Sequence, residues 1–197
     1  MTGQRVIGFD VTEFLDHENV RSPITLYLFF CVRSLLTGQP FVCWADEFSR
    51  LLADPAFEQF AKDGLKVWRK LNGVLCAATQ SPSDALLSPI SRTIIEQTPT
   101  KIFFPNPDAA ASDYIEGFGL TEREFKLIKE QLEPGTRMFL VKQGHSSVVC
   151  ELDLKGFNAE LAVISGRASS VARANQLIDV HGTDPAKWLP HFLEKSP

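Results

Sequence analysis

Between Pro40 and Glu47 the chain runs through five apolar residues without a break, Phe41-Val42-Cys43-Trp44-Ala45, and then places two carboxylates, Asp46 and Glu47, side by side. A run of that length is a strand length and too short for a buried helix. Five consecutive apolar residues here read as a buried strand. Adjacent carboxylates at a strand tip suit one chemistry well. The first can sit in the coordination sphere of Mg²⁺ held by a nucleotide, and the second can polarise a water for attack on phosphorus. A plainer reading stands beside it, because acidic residues also cap the helix or loop that follows a strand.

A second strand, Gly73-Val74-Leu75-Cys76-Ala77-Ala78, follows after one amphipathic helix and ends in Thr79-Gln80-Ser81. A glutamine at that tip, beside the acidic pair, can hold the attacking water and respond to a terminal phosphate. Polar residues end most strands, so Gln80 acquires this meaning only together with Asp46 and Glu47. The pair has the form of a Walker B strand and its sensor partner. No G-x-x-x-x-G-K-[ST] phosphate loop occurs anywhere in the 197 residues.

The segments between these strands are helical in pattern. Residues 22–37 predict a buried helix with Ser22 as N-cap, Pro23 in the first turn and Gly38 past the end. Its apolar stretch is too short to span a bilayer, and the first residues lack a signal-peptide core. Ala53-Asp54-Pro55 opens a helix with the apolar stripe Phe57, Phe60, Ala61, Gly64, Leu65, Trp68 and Leu71, and with Lys62, Lys66, Arg69 and Lys70 opposite. Short strands are expected at 6–10 and 101–104, and short helices from Ser81-Pro82 and over 91–98. This alternation predicts a parallel α/β sheet.

After about residue 108 the pattern changes. Thr121 and Glu124 form a capping box with Leu120 and Phe125 able to staple across it, and 137–142 and 147–154 read as a hairpin. Helices over 158–164, 167–179 and 185–195 close the chain. One domain over 1–197 is expected, with an α/β core over 1–107 and the hairpin and helices of 108–197 appended to it. A net charge of −4 argues against a broad nucleic-acid footprint. The four cysteines are scattered without C-x-x-C spacing, which disfavours disulfide and zinc frameworks and suits a reducing setting. His17, His145, His181 and His191 read as surface residues.

Several phrases together resemble one family. They are Gly8-Phe9-Asp10-Val11-Thr12, Phe14-Leu15-Asp16, Asp46-Glu47, Trp68-Arg69-Lys70, Ala78-Thr79-Gln80-Ser81, Glu96-Gln97, Phe118-Gly119-Leu120-Thr121 and 161–167. In this order and across nearly the whole chain, they are similar to the C-terminal ATPase domain of the VirB/TrbE/CagE-type motors of type IV secretion systems. The resemblance implies a RecA-like P-loop NTPase core with a mostly parallel sheet, here without the P-loop strand, plus a C-terminal β-hairpin and helices. In the family the P-loop precedes the Gly-Phe-Asp phrase, so the chain is expected to be the C-terminal part of a longer ATPase and inactive alone.

The resemblance further implies residue roles. Asp46 would serve Mg²⁺, Glu47 would be the catalytic base and Gln80 the γ-phosphate sensor of an ATP site. Arg69 would be an arginine finger reaching a neighbouring subunit, although its helical spacing with Lys62 and Lys66 equally fits a solvated face. Arg167 would contact nucleotide or the next subunit, with local capping by Ser165 as the plain alternative. Implied partners are other copies, hexameric in the longer protein, and secretion components at the cytoplasmic face of the inner membrane. A non-catalytic interaction module and a DNA-pumping coupling protein or FtsK-like translocase are the alternatives. The family fold also implies strands 6–10, 41–45 and 74–79 side by side in that order. With the P-loop strand missing, residues 101–104 would then slide over to pair with 74–79, or another copy would donate a strand, or a further part of the longer protein would fill the gap.

Overall fold

The computed structural model describes residues 6–15, 17–52 and 54–194. The chain divides into two compact units, Met1–Cys150 and Glu151–Pro197. In the first unit, helices α1 (Thr12–Leu15) and α2 (Glu18–Leu35) precede strand β1 (Phe41–Ala45), α3 (Phe48–Leu52), α4 (Pro55–Val67) and β2 (Gly73–Ala77). Helices α5 (Pro82–Leu87) and α6 (Ser91–Gln97) then lead to β3 (Thr100–Phe103). A wide helical segment, Ser112–Gly117, and α7 (Glu122–Lys126), which runs on to Gln131, precede β4 (Met138–Gln143) and β5 (Ser146–Glu151).

β1 and β2 are parallel and in register from Phe41 opposite Gly73 to Ala45 opposite Ala77. One face of this pair carries Ala45 and Leu75 onto a cluster of Phe48, Leu52, Phe57, Ala61, Ile90 and Ile94. The other face is open: Val42 and Val74 are each 53% exposed and Trp44 is 78% exposed. The unbroken apolar run therefore does not mark a strand covered on both sides, because periodicity cannot tell a doubly buried strand from one whose apolar outer face is bare.

The expected three-strand order is not formed. Residues 6–10 form no regular element and pair with no strand, and among the described residues β2 pairs only with β1. Nor does 101–104 slide over to β2. β3 instead joins the hairpin in a second sheet of order β3-β4-β5, antiparallel to β4 from Thr100 opposite Gln143 to Phe103 opposite Leu140. The expectation rested on the cost of buried unpaired backbone, and an edge facing water does not incur it. The hairpin offers β3 an antiparallel partner, and Lys101 ties the strand to α6 by donating to the carbonyls of Ile95 at 3.1 Å and Thr98 at 2.7 Å.

Local signals fared better. Asp54 caps α4 with its carboxylate towards the Phe57 amide at 3.4 Å, and the Phe57, Ala61, Gly64, Trp68 stripe is buried. The capping box forms: Thr121 Oγ1 accepts from the Glu124 amide at 3.3 Å, and Glu124 accepts from the Thr121 amide at 2.7 Å. Glu124 also takes both of its oxygens to Lys142 Nζ, each at 2.9 Å, inside the second sheet's cluster of Phe103, Tyr114, Leu120, Ile128 and Leu140. α2 begins before the expected cap, so Pro23 lies inside it, and Ser22 donates to Asp54 Oδ2 at 2.5 Å instead of capping.

The second unit holds α8 (Asn158–Ile164), α9 (Ala168–His181) and α10 (Pro185–Leu193). Asp184 caps α10 by accepting from Ala186 at 3.1 Å. Arg173 donates to the His191 carbonyl at 3.0 Å and covers the Phe192 ring, while the His181 and His191 rings stack 4.3 Å apart. His17, His145 and His191 are exposed and His181 is half-buried, so the surface reading holds for three of the four, with His181 and His191 stacked on each other.

Candidate active site

The tips of β1 and β2 are laced together. The Ala78 amide donates to the Ala45 carbonyl at 2.9 Å, and the Phe48 amide donates to the Ala78 carbonyl at 2.8 Å. Between Ala45 and Phe48 the chain must turn from strand into α3 in two residues. Glu47 takes the strain, with φ of 47° in the left-handed region that non-glycine residues seldom occupy. Such a backbone costs on the order of 1–3 kcal/mol and persists where its surroundings hold it. Here Asp46 Oδ1 accepts the Glu47 amide at 2.9 Å, and the Glu47 carbonyl starts α3 by accepting from Arg50 at 2.9 Å.

This turn aims the Glu47 carboxylate at Gln80, whose Nε2 lies 3.4 Å from Oε1. Arg50 Nη1 holds the other oxygen, Oε2, at 2.9 Å. The Thr79 hydroxyl, 3.1 Å from Ser49 Oγ, fixes the loop that carries Gln80 against α3. In front of the group lies an open cleft of about 610 Å³, lined by Gly8, Phe9, Asp10, Val11, Asp46, Glu47 and Arg50. Three carboxylates and one guanidinium line it.

The donor set tests which cation would fit. Among the described residues no group of three or more His, Cys, Asp or Glu converges as a metal cage. Mg²⁺ commonly takes one or two protein carboxylates and completes its shell with water and substrate phosphates. The exposed Asp46 beside Glu47 fits that shared mode and does not fit a resident, protein-enclosed ion.

Asp46, Glu47 and Gln80 are thus brought together. Arg69 is not: it is exposed in the tight turn Trp68–Leu71 that enters β2, at the amino end of the strand, whereas Gln80 follows the carboxyl end. The length of β2, roughly 13 Å at 3.3 Å per residue, separates the two ends. Arg167 lies in the second unit as the N-cap of α9, and Ser165 donates back to the Ala162 carbonyl at 3.2 Å instead of capping that helix. Sequence reasoning overlooked Arg50, although its position three residues after Glu47 on a helix start was a usable signal. It also treated 6–10 as a strand, whereas Gly8, Phe9 and Asp10 wall the cleft.

No protein-family model matches the chain. It is 51% identical over 189 residues to the type IV secretion system protein virB4 of Bartonella henselae, covering 96% of this chain and 24% of the relative. To the type IV secretion system protein virB4 of Brucella abortus it is 42% identical, over 95% of this chain and 22% of that one. To protein virB4 of Agrobacterium fabrum it is 40% identical, over 96% of this chain and 24% of the relative. The chain spans about a quarter of the length of these curated relatives. Among solved structures, VirB4 of Thermoanaerobacter pseudethanolicus matches with a TM-score of 0.60 at 21% identity, covering 76% of this chain and 41% of that chain. The shared fold is RecA-like, and the motif resemblance is borne out.

Proposed function

We propose that this chain, a VirB4-type sequence consistent with the C-terminal domain of a type IV secretion ATPase, supplies the acid–base half of an ATP-hydrolysing site. The observation that carries the proposal is the Glu47–Gln80 contact of 3.4 Å at the tips of two parallel strands. Glu47 accepts a proton as water attacks the γ-phosphorus, Gln80 orients that water, and ADP leaves as phosphate forms. Asp46 would hold Mg²⁺, which would supply charge neutralisation at the phosphate oxygens. Arg167 contacts nucleotide or the next subunit. The machine served is a type IV secretion system at the inner face of the inner membrane, assembling pili or transferring macromolecules. A docking role without catalysis is the second reading, favoured by the open apolar face of Val42, Trp44 and Val74.

The test uses two forms of the protein. A hybrid in which this chain replaces the matched segment of the Bartonella henselae relative should hydrolyse ATP. The chain by itself should bind Mg-ATP weakly and turn over none, because it has no P-loop sequence to supply the amide nest and lysine that grip a triphosphate. Micromolar binding by calorimetry to the chain alone would contradict the second expectation, and an inert, well-assembled hybrid would contradict the first.

Arg69 serves in this reading as a finger acting on a neighbouring copy, since it stands at the far end of β2 from its own chain's Glu47. Arg69→Ala hybrids should be inactive alone, as should Glu47→Gln hybrids. Mixed oligomers should recover part of the activity at interfaces where an intact Glu47 meets an intact Arg69. Proven mixed assembly with no recovery would return Arg69 to the solvated face it shares with Lys66 and Lys70.

A further inference from the structure

Both oxygens of the candidate base are engaged, Oε2 by Arg50 Nη1 at 2.9 Å and Oε1 by Gln80 Nε2 at 3.4 Å. A carboxylate held in this way has little freedom to take a proton from water. Arg50 is also the one cation among the residues lining the cleft, against Asp10, Asp46 and Glu47. A nucleoside triphosphate brings further negative charge into this acidic surrounding, and a guanidinium fork matches phosphate oxygens better than it matches one carboxylate oxygen. We propose that Arg50 is a positioning residue that exchanges Glu47 for the terminal phosphate of an entering nucleoside triphosphate, so that the base is released only when the site is loaded. Arg50 lines the same cleft as Glu47, so a change of side-chain rotamer suffices. This inference rests on the nucleotide reading of the cleft given above.

Competition for one guanidinium has a thermodynamic signature that turnover does not share. In the hybrid, with the slowly hydrolysed analogue ATPγS as probe, Glu47→Gln should tighten binding about two- to fivefold, the span a part-exposed ion pair supports. The gain should vanish in Glu47→Gln/Arg50→Gln, and ADP, which lacks the terminal phosphate, should show no gain in either background. Arg50→Gln alone should weaken ATPγS while leaving ADP unchanged. A gain that persists in the double variant would mean that Glu47 merely repels the ligand, and would overturn the exchange while leaving the nucleotide reading intact. Failure of the unmodified hybrid to bind ATPγS would overturn that reading and this inference with it.

Discussion

Glu47→Gln in the hybrid should lower kcat by about 10²–10⁴-fold, the usual contribution of a positioned general base. Nucleotide affinity should be retained or gain the few-fold argued above. The substitution is nearly isosteric. Glutamine keeps one oxygen to accept from Gln80 or Arg50, and the strained backbone at φ of 47° is the same for either residue. What disappears is the capacity to accept a proton. A rate deficit in kcat without a matching rise in KM is the mark of an interaction made in the transition state. Measuring kcat, KM and ATPγS affinity on one preparation separates the outcomes. If affinity fell in step with rate, Glu47 would be holding the β1–α3 turn and the chemistry would have to lie elsewhere.

The legible part of this molecule was local. Asp54 before Pro55, the Thr121/Glu124 box and Asp184 before Pro185 each carry their partner within three residues, so the signal and the contact coincide. The two strand tips were legible for the same reason: polar residues that end an apolar run fall on the same edge once the strands are parallel. Choices between distant partners were not legible. Nothing in 101–104 says whether it will meet β2 or β4, because both offer apolar strands, and the hairpin's availability decided it. The open face of Trp44 was hidden by its own hydrophobicity. Glu124 showed the limit most clearly. Its capping role was read correctly, and its ion pair with Lys142, 18 residues away, left no trace in the local pattern.

That pair should be the most sensitive point of the second sheet. Glu124 is 5% and Lys142 9% exposed, and they join α7 to β4 across the Phe103, Tyr114 and Leu140 cluster. Burial alone would push the Glu124 carboxyl up, but Lys142, the Thr121 amide and hydroxyl, and Ser147 together hold it down at about 2. Removing one partner leaves the other buried and uncompensated, so Glu124→Ala should cost about 3–5 kcal/mol. Amide exchange across β4 at pH 7 should then quicken by about two to four orders of magnitude, since each 1.4 kcal/mol is tenfold. Replacing both residues with apolar ones should recover most of the loss and leave only the cap deficit, about 1 kcal/mol. The same linkage fixes the acid behaviour. A carboxyl whose folded value lies below its ordinary 4.5 stabilises the fold above that pH, and the contribution drains away as pH falls towards about 2. Unmodified protein should therefore lose protection of β4 between those values, while Glu124→Ala, already lacking the group, should show a flatter profile there. Equal acid profiles for the two would mean that the pair contributes nothing, and that the packing around Ile128 and Leu140 holds α7 to the sheet unaided.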